Sequence, residues 1–122
     1  MSTNSSSEKS VKLPTFDGKA SNVQMWWTRF GGFAQVNGFS EAVRKDAPDP
    51  NLPASEAEVL DESDDQDKKK IAAKKRNAIA MAHLSMAFTN ESCMGLIYKS
   101  MMTEWPGGLA HDVIKAFFKK YQ

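Results

Sequence analysis

The amino-acid sequence predicts an all-α domain, a compact bundle of about five helices with a flexible N-terminal tail and an acidic loop. Three observations carry this. Apolar residues recur at three-and-four spacing in successive segments, good N-cap residues precede several of those segments, and the longest of them, Asp67 to Thr89, contains neither Gly nor Pro. A chain of 122 residues, 41% apolar and 25% charged, has the balance of a globular protein and the length for one core.

Residues 1–10 (MSTNSSSEKS) have almost nothing to bury, so a flexible tail is expected there and a helical domain over residues 11–122. Lys12 to Ala20 (KLPTFDGKA) reads as a lead-in loop: Pro14 holds it extended, Asp17-Gly18 turns it, and Leu13 and Phe16 anchor it. From a cap at Ser21, the residues Val23, Trp26, Trp27, Phe30, Phe33 and Ala34 trace one face of a helix that ends near Asn37-Gly38. Inside it Gly31 and Gly32 each cost roughly 1 kcal/mol relative to Ala, which predicts a kink or a close helix-helix approach. Phe39 to Lys45, capped by Ser40, adds a short second helix.

Residues 46–67 carry acids, prolines and no Lys or Arg, the composition of a solvated loop, with a helical turn from Ala54 to Leu60 capped by Ser55. The long helix that follows has two halves. Lys68 to Arg76 is basic and reads as exposed, whereas Ala78 to Phe88 is apolar on nearly every side, as a central core helix must be. Asn90 caps a fourth helix in which Met94, Ile97, Tyr98, Met101 and Trp105 repeat until Pro106-Gly107-Gly108 stops it. In the fifth, Ala110, Val113, Ile114, Phe117, Phe118 and Tyr121 oppose Lys115, Lys119 and Lys120. The core residues expected from these stripes are Trp26, Phe30, Phe33, Ile79, Met86, Ile97, Trp105, Phe117 and Tyr121. Trp27, adjacent to Trp26 and so facing elsewhere, is a candidate interface residue.

Little in the chain suggests chemistry. Cys93, His83 and His111 each stand alone in a helix, without the short spacings of a zinc site, and a lone Cys on a Met-rich helix reads as a small buried hydrophobe. The acids cluster in a loop rather than as two rigidly held carboxylates, and no glycine-rich phosphate motif is present. No catalytic, cofactor or metal residues are therefore assigned, no small-molecule substrate is expected, and the chain reads as a non-enzyme. A net charge of +1 argues against a uniformly basic nucleic-acid binder, but Lys68, Lys69, Lys70, Lys74, Lys75 and Arg76 are candidate RNA contacts, against the plainer reading of a solvated face. With one cysteine and no run near the ~20 apolar residues of a membrane span, an intracellular protein without membrane contact is expected.

LPTFDGKAS (residues 13–21), a Trp-containing helix, Gly38-Phe39, KKRNAIAMAHLSMAF (74–88), a helix after Asn90 and EWPGGLAHDVIKAFFKKYQ (104–122) follow one another in an order that resembles Ty1/copia-type LTR retrotransposon Gag polypeptides, from Leu13 to Gln122. The resemblance implies a helical domain similar to a retroviral capsid N-terminal domain. It also implies self-association through weak repeated interfaces into cytoplasmic virus-like particles around element RNA. Trp26, Phe30, Phe33, Trp105 and Tyr121 would then be framework aromatics. Gly31-Gly32 and the long acidic loop depart from that pattern, and the lack of a second domain, a CCHC zinc knuckle or a protease motif suggests a fragment of a polyprotein. A domesticated Gag-derived adaptor or an RNA-binding helical module is the alternative.

Overall fold

The computed structural model describes residues 12–121, so the tail expected at residues 1–10, with Val11 and Gln122, lies outside the described residues. Within them the chain forms four α-helices: α1 (Val23–Val36), α2 (Asp65–Ala87), α3 (Glu91–Ser100) and α4 (Ala110–Lys120). Two short 3-10 turns, Ala20–Asn22 and Ser40–Val43, and two isolated β-bridges complete the described secondary structure. The all-helical class therefore stands, but Phe39 to Lys45 supplies a 3-10 turn in place of a helix.

Local chemistry sets each start. Asp17 accepts from the Lys19 amide (2.9 Å) and the Asn22 side chain (2.7 Å), winding the 3-10 turn that feeds α1. Helix α2 begins two residues before the expected Asp67: Asp64 caps it by accepting from the Asp67 amide at 2.9 Å, and Asp65 and Asp67 occupy its first turn, where carboxylates suit the helix dipole. Asn90 caps α3 as expected, accepting from the Cys93 amide at 2.9 Å. The start of α4 has no cap on its own side of the chain. Asn77 of α2 provides one: its Oδ1 accepts from the Ala110 amide (2.8 Å) while its Nδ2 donates to the Gly108 carbonyl (2.9 Å), so a buried amide is satisfied at both ends.

Helices α1, α2, α3 and α4 meet around aromatic rings. Phe16, from the lead-in segment, lies edge-on to Phe117 and Tyr121 with centroids 5.2 Å from each, and 5.7 Å from Trp26. Trp26 in turn stacks on Phe30 at 4.9 Å and approaches Phe117 at 5.0 Å. Backbone bonds hold the segment in place: the Phe16 amide donates to Ala87 (2.8 Å), Thr89 Oγ1 donates to the Phe16 carbonyl (2.9 Å), and Trp26 Nε1 donates to Pro14 (3.1 Å).

Of the nine expected core residues, Trp26, Phe30, Phe33, Ile97 and Phe117 are buried in the main cluster, and Ile79 and Tyr121 pack against it half-buried. Trp105 is buried apart from that cluster. Helix α3, expected to run to Trp105, ends at Ser100, because residues 102–105 close a turn in which Met102 and Trp105 exchange backbone hydrogen bonds of 3.1 and 2.9 Å. Met86 is a correction, being 56% exposed. The buried stripe of α2 runs through Ala73, Asn77, Ala80, Leu84 and Ala87, and Met86 lies off it, so this helix is not apolar-packed all round.

Of the kink or close approach expected at the glycine pair in α1, the close approach is not found: a Cβ built on Gly31 or Gly32 meets no atom within 4 Å among the described residues. Gly108 is the reverse, with φ +86° and a Cβ position only 2.6 Å from Ser100 Oγ and 2.7 Å from Met81 Cε. Replacing Gly31 and Gly32 together by Ala is expected to stabilise the fold by up to about 2 kcal/mol, whereas Gly108→Ala is expected to destabilise it by roughly 1–3 kcal/mol. Urea titration followed by circular dichroism checks both, and a double Ala variant less stable than the parent would contradict the first.

Candidate functional site

The outer side of α1 carries an open, largely apolar groove among the described residues. Leu13 and Pro14 of the lead-in segment form one wall of a groove of about 860 Å³, and Met25, Phe33 and Val36 of α1 line it. Met25 is 49% and Val36 56% exposed. Gly32 lies in the same groove, so part of its surface is bare helix backbone. Lys12 and Arg29 stand at the edge, and neither forms a salt bridge among the described residues. The carboxylate of Asp17 also reaches this edge, but both its oxygens are engaged by Lys19 and Asn22, which hold its pKa below the ordinary aspartate value.

Trp27, the candidate interface residue, is half-buried and stands edge-on to Phe118 at 5.0 Å. Lys45 Nζ lies 4.8 Å from the centre of the Phe118 ring, a cation-π contact that further covers this corner. The groove, and not Trp27, is thus the more open apolar surface on α1.

The basic half of α2 is tied to the acidic segment that precedes it. Asp49, whose side chain is fully removed from solvent, accepts from Arg76 Nε at 2.7 Å and from the Asn51 amide at 3.1 Å. Glu58 accepts from Lys70 Nζ at 3.1 Å and from the Ala54 amide at 3.0 Å. Glu56 completes the attachment to the turn before α4, accepting from the Gly107 amide (2.8 Å) while its own amide donates to the Glu104 carbonyl (2.8 Å). Residues 46–64 therefore form a strap tied to α2 through Asp49 and Glu58, more closely held than a free loop, although many of its residues, 61–64 among them, are exposed. Ala54 to Leu60 forms turns without a helix, the Glu58 amide donating to Ser55 at 3.3 Å.

Among the six candidate RNA contacts, Arg76 and Lys70 are engaged by these carboxylates, Lys68 sits 3.9 Å from Asp65, Lys74 is half-buried, and Lys69 and Lys75 are exposed. The structure spaces these charges around the helix, and acids are interleaved with them.

Burial alone would raise the pKa of Asp49. The Arg76 hydrogen bond, the Asn51 amide and the charges of Arg76 and Arg44 outweigh it and hold the carboxyl below its ordinary value. Burial pushes the Tyr121 phenol up to about 12, helped by its 3.5 Å contact with the buried Cys93 thiol. His83 stacks on Phe39 at 5.2 Å with rings nearly parallel, and its Nδ1 lies 2.9 Å from the Ile79 carbonyl. His111 Nδ1 lies 2.9 Å from the Arg44 carbonyl. Each of these groups is placed by packing, and the described residues bring no three His, Cys, Asp or Glu side chains together in a metal-binding arrangement.

Two functional positions escaped sequence reasoning. Asn77 stands between the basic and the apolar halves of α2, and a lone amide on a face otherwise made of Ala73, Ala80, Leu84 and Ala87, followed far downstream by a Gly-Gly turn, is the signal that marks it. Asp49 lies between two prolines, which fix its backbone, but nothing local distinguishes it from the other acids. The chain matches no protein family, no curated protein and no solved structure.

Because the folded pKa of Asp49 is depressed, its contribution to stability is complete above the ordinary aspartate range and is lost as pH falls through the lower folded value. Asp49→Asn is expected to cost roughly 2–3 kcal/mol at neutral pH, at the low end for a broken buried pair because Arg76 keeps some solvent contact. It should also flatten the acid limb of the stability profile. Urea midpoints between pH 3 and pH 7 test this; a variant whose acid limb is as steep as the parent's would show that Asp49 is not its source.

Proposed function

We propose that this chain is a structural, non-catalytic domain that self-associates through weak repeated contacts, in the manner of a copia-type Gag capsid region building a shell around retroelement RNA in the cytoplasm. The observation that carries the proposal is the presence of two separate apolar surfaces left without a partner. One is the groove on α1. The other is formed by Tyr98, Met101 and Met102 at the end of α3 and in the turn beyond it, 63%, 45% and 41% exposed. They share no residue, so one copy has surface with which to engage two neighbours, as a shell requires. The sequence resemblance supplies the identity of the shell, and the helical fold is compatible with it.

The strap bears on the choice between this reading and an RNA-binding module. With Arg76 and Lys70 already paired, a few lysines remain to replace counterions on a phosphate backbone, so tight RNA binding by α2 alone is disfavoured. No helix among the described residues is long and apolar enough to cross a membrane.

On this reading, light scattering from the purified chain should rise with concentration beyond that of a monomer, and electron microscopy should show particles or regular oligomers at the highest concentrations. A chain that stays strictly monomeric up to about millimolar concentration, the weak limit of useful affinity, would overturn it.

A further inference from the structure

We infer that the α1 groove receives the loop around Val59 from a second copy of the chain, an inference that rests on the self-association reading and names the contact. Four features of the molecule lead there. The first is Gly32, which lines the groove and, with Gly31 beside it, weakens α1 without a positive φ or a close approach from any described residue. A helix that carries bare backbone on its solvent side is built for approach from outside.

The second feature is Val59. At 94% it is far more exposed than any other large apolar side chain among the described residues. It is also held there. Glu58, immediately before it, is bonded to Ala54 and Lys70, while the Asp61 amide donates to Asp67 Oδ2 at 2.8 Å and the Asp61 carboxylate accepts from Ser63. A protruding side chain whose backbone is already fixed loses little entropy when it docks.

Charge is the third. The groove lining includes Lys12 and Arg29, which form no salt bridge among the described residues, and the loop offers the exposed Glu62 close to Val59 in the chain. The fourth is shape: Leu13 and Pro14 already lie extended along the groove, and the chain around Val59 has no helix, so a second extended segment fits beside the first. Each copy carries both a groove and a loop, so the contact repeats from copy to copy.

The test uses the full chain and sedimentation velocity at low and high salt. Val59→Asp, and separately Arg29→Glu, should weaken association at least tenfold, with helix content and thermal midpoint unchanged because both residues are exposed. Combining Arg29→Glu with Glu62→Lys should recover most of the loss, and the parent's association should weaken as salt rises. A parent that associates while Val59→Asp and Arg29→Glu associate equally well would overturn the groove contact and leave the self-association reading standing. A parent that never associates would overturn both.

Discussion

The fold depends on burying Phe16. Its ring comes from a segment that contributes no helix, yet it touches Trp26 of α1, Phe117 of α4 and Tyr121 just beyond α4, and its backbone is bonded at the end of α2. A fully buried Phe is worth roughly 2–3 kcal/mol from its apolar area alone. The larger effect is topological, because the start and the end of the described chain are joined through one side chain. Contacts that span a hundred positions form only when the intervening helices have already docked, so Phe16 secures a bundle that α1, α2, α3 and α4 must first approximate.

The same placement explains what could be read from the sequence and what could not. The stripe Val23, Trp26, Phe30, Phe33 is legible because both its period and its content are strong, and it lies buried as the spacing requires. Met86 carries the same apolar character, but periodicity identifies the direction of a stripe only when one face clearly dominates. In an alanine-rich helix several faces look alike, and the one that is buried is chosen by where α4 and the Ser40–Val43 turn happen to pack. The length of α3 is lost for another reason. Met101 and Trp105 continue a helical spacing, and only the paired backbone bonds of the 102–105 turn show that the chain has left the helix.

Charge gives the least legible part of the structure. In sequence the acidic segment and the basic helix look like two opposed, independent blocks, one a solvated loop and the other a candidate RNA surface. In three dimensions they neutralise each other through Asp49 with Arg76 and Glu58 with Lys70, pairs separated by 27 and 12 positions. The two pairs are not equivalent. Asp49 is sealed from water and is the nearer of the two carboxylates on the mostly buried Arg76, the other being Glu41 at 3.8 Å, whereas Lys70 and Glu58 retain solvent and contribute little beyond alignment. The strap thus takes the place of an outer helix on the first half of α2, and it does so with polar bonds, which fix its path more narrowly than apolar packing would.

That fixed path gives the surface its character. A loop held only by apolar contact would fold its own valine inward, because an exposed Val gains by collapsing onto any nearby apolar surface. Here the bonds of Glu58 and Asp61 on either side forbid the collapse, and Val59 remains in water. The same holds on α1, where two helix-weakening glycines are kept although no atom of the described residues lies within 4 Å of where their Cβ atoms would stand. A domain of this size has a total stability of only about 5–15 kcal/mol, so a few kcal/mol left unrealised in a glycine pair and an exposed valine is a substantial share. Sequences settle at such positions when the group serves something other than the stability of the isolated fold. On the self-association proposed above, these two separate costs become the two halves of one contact, each beside charges of opposite sign.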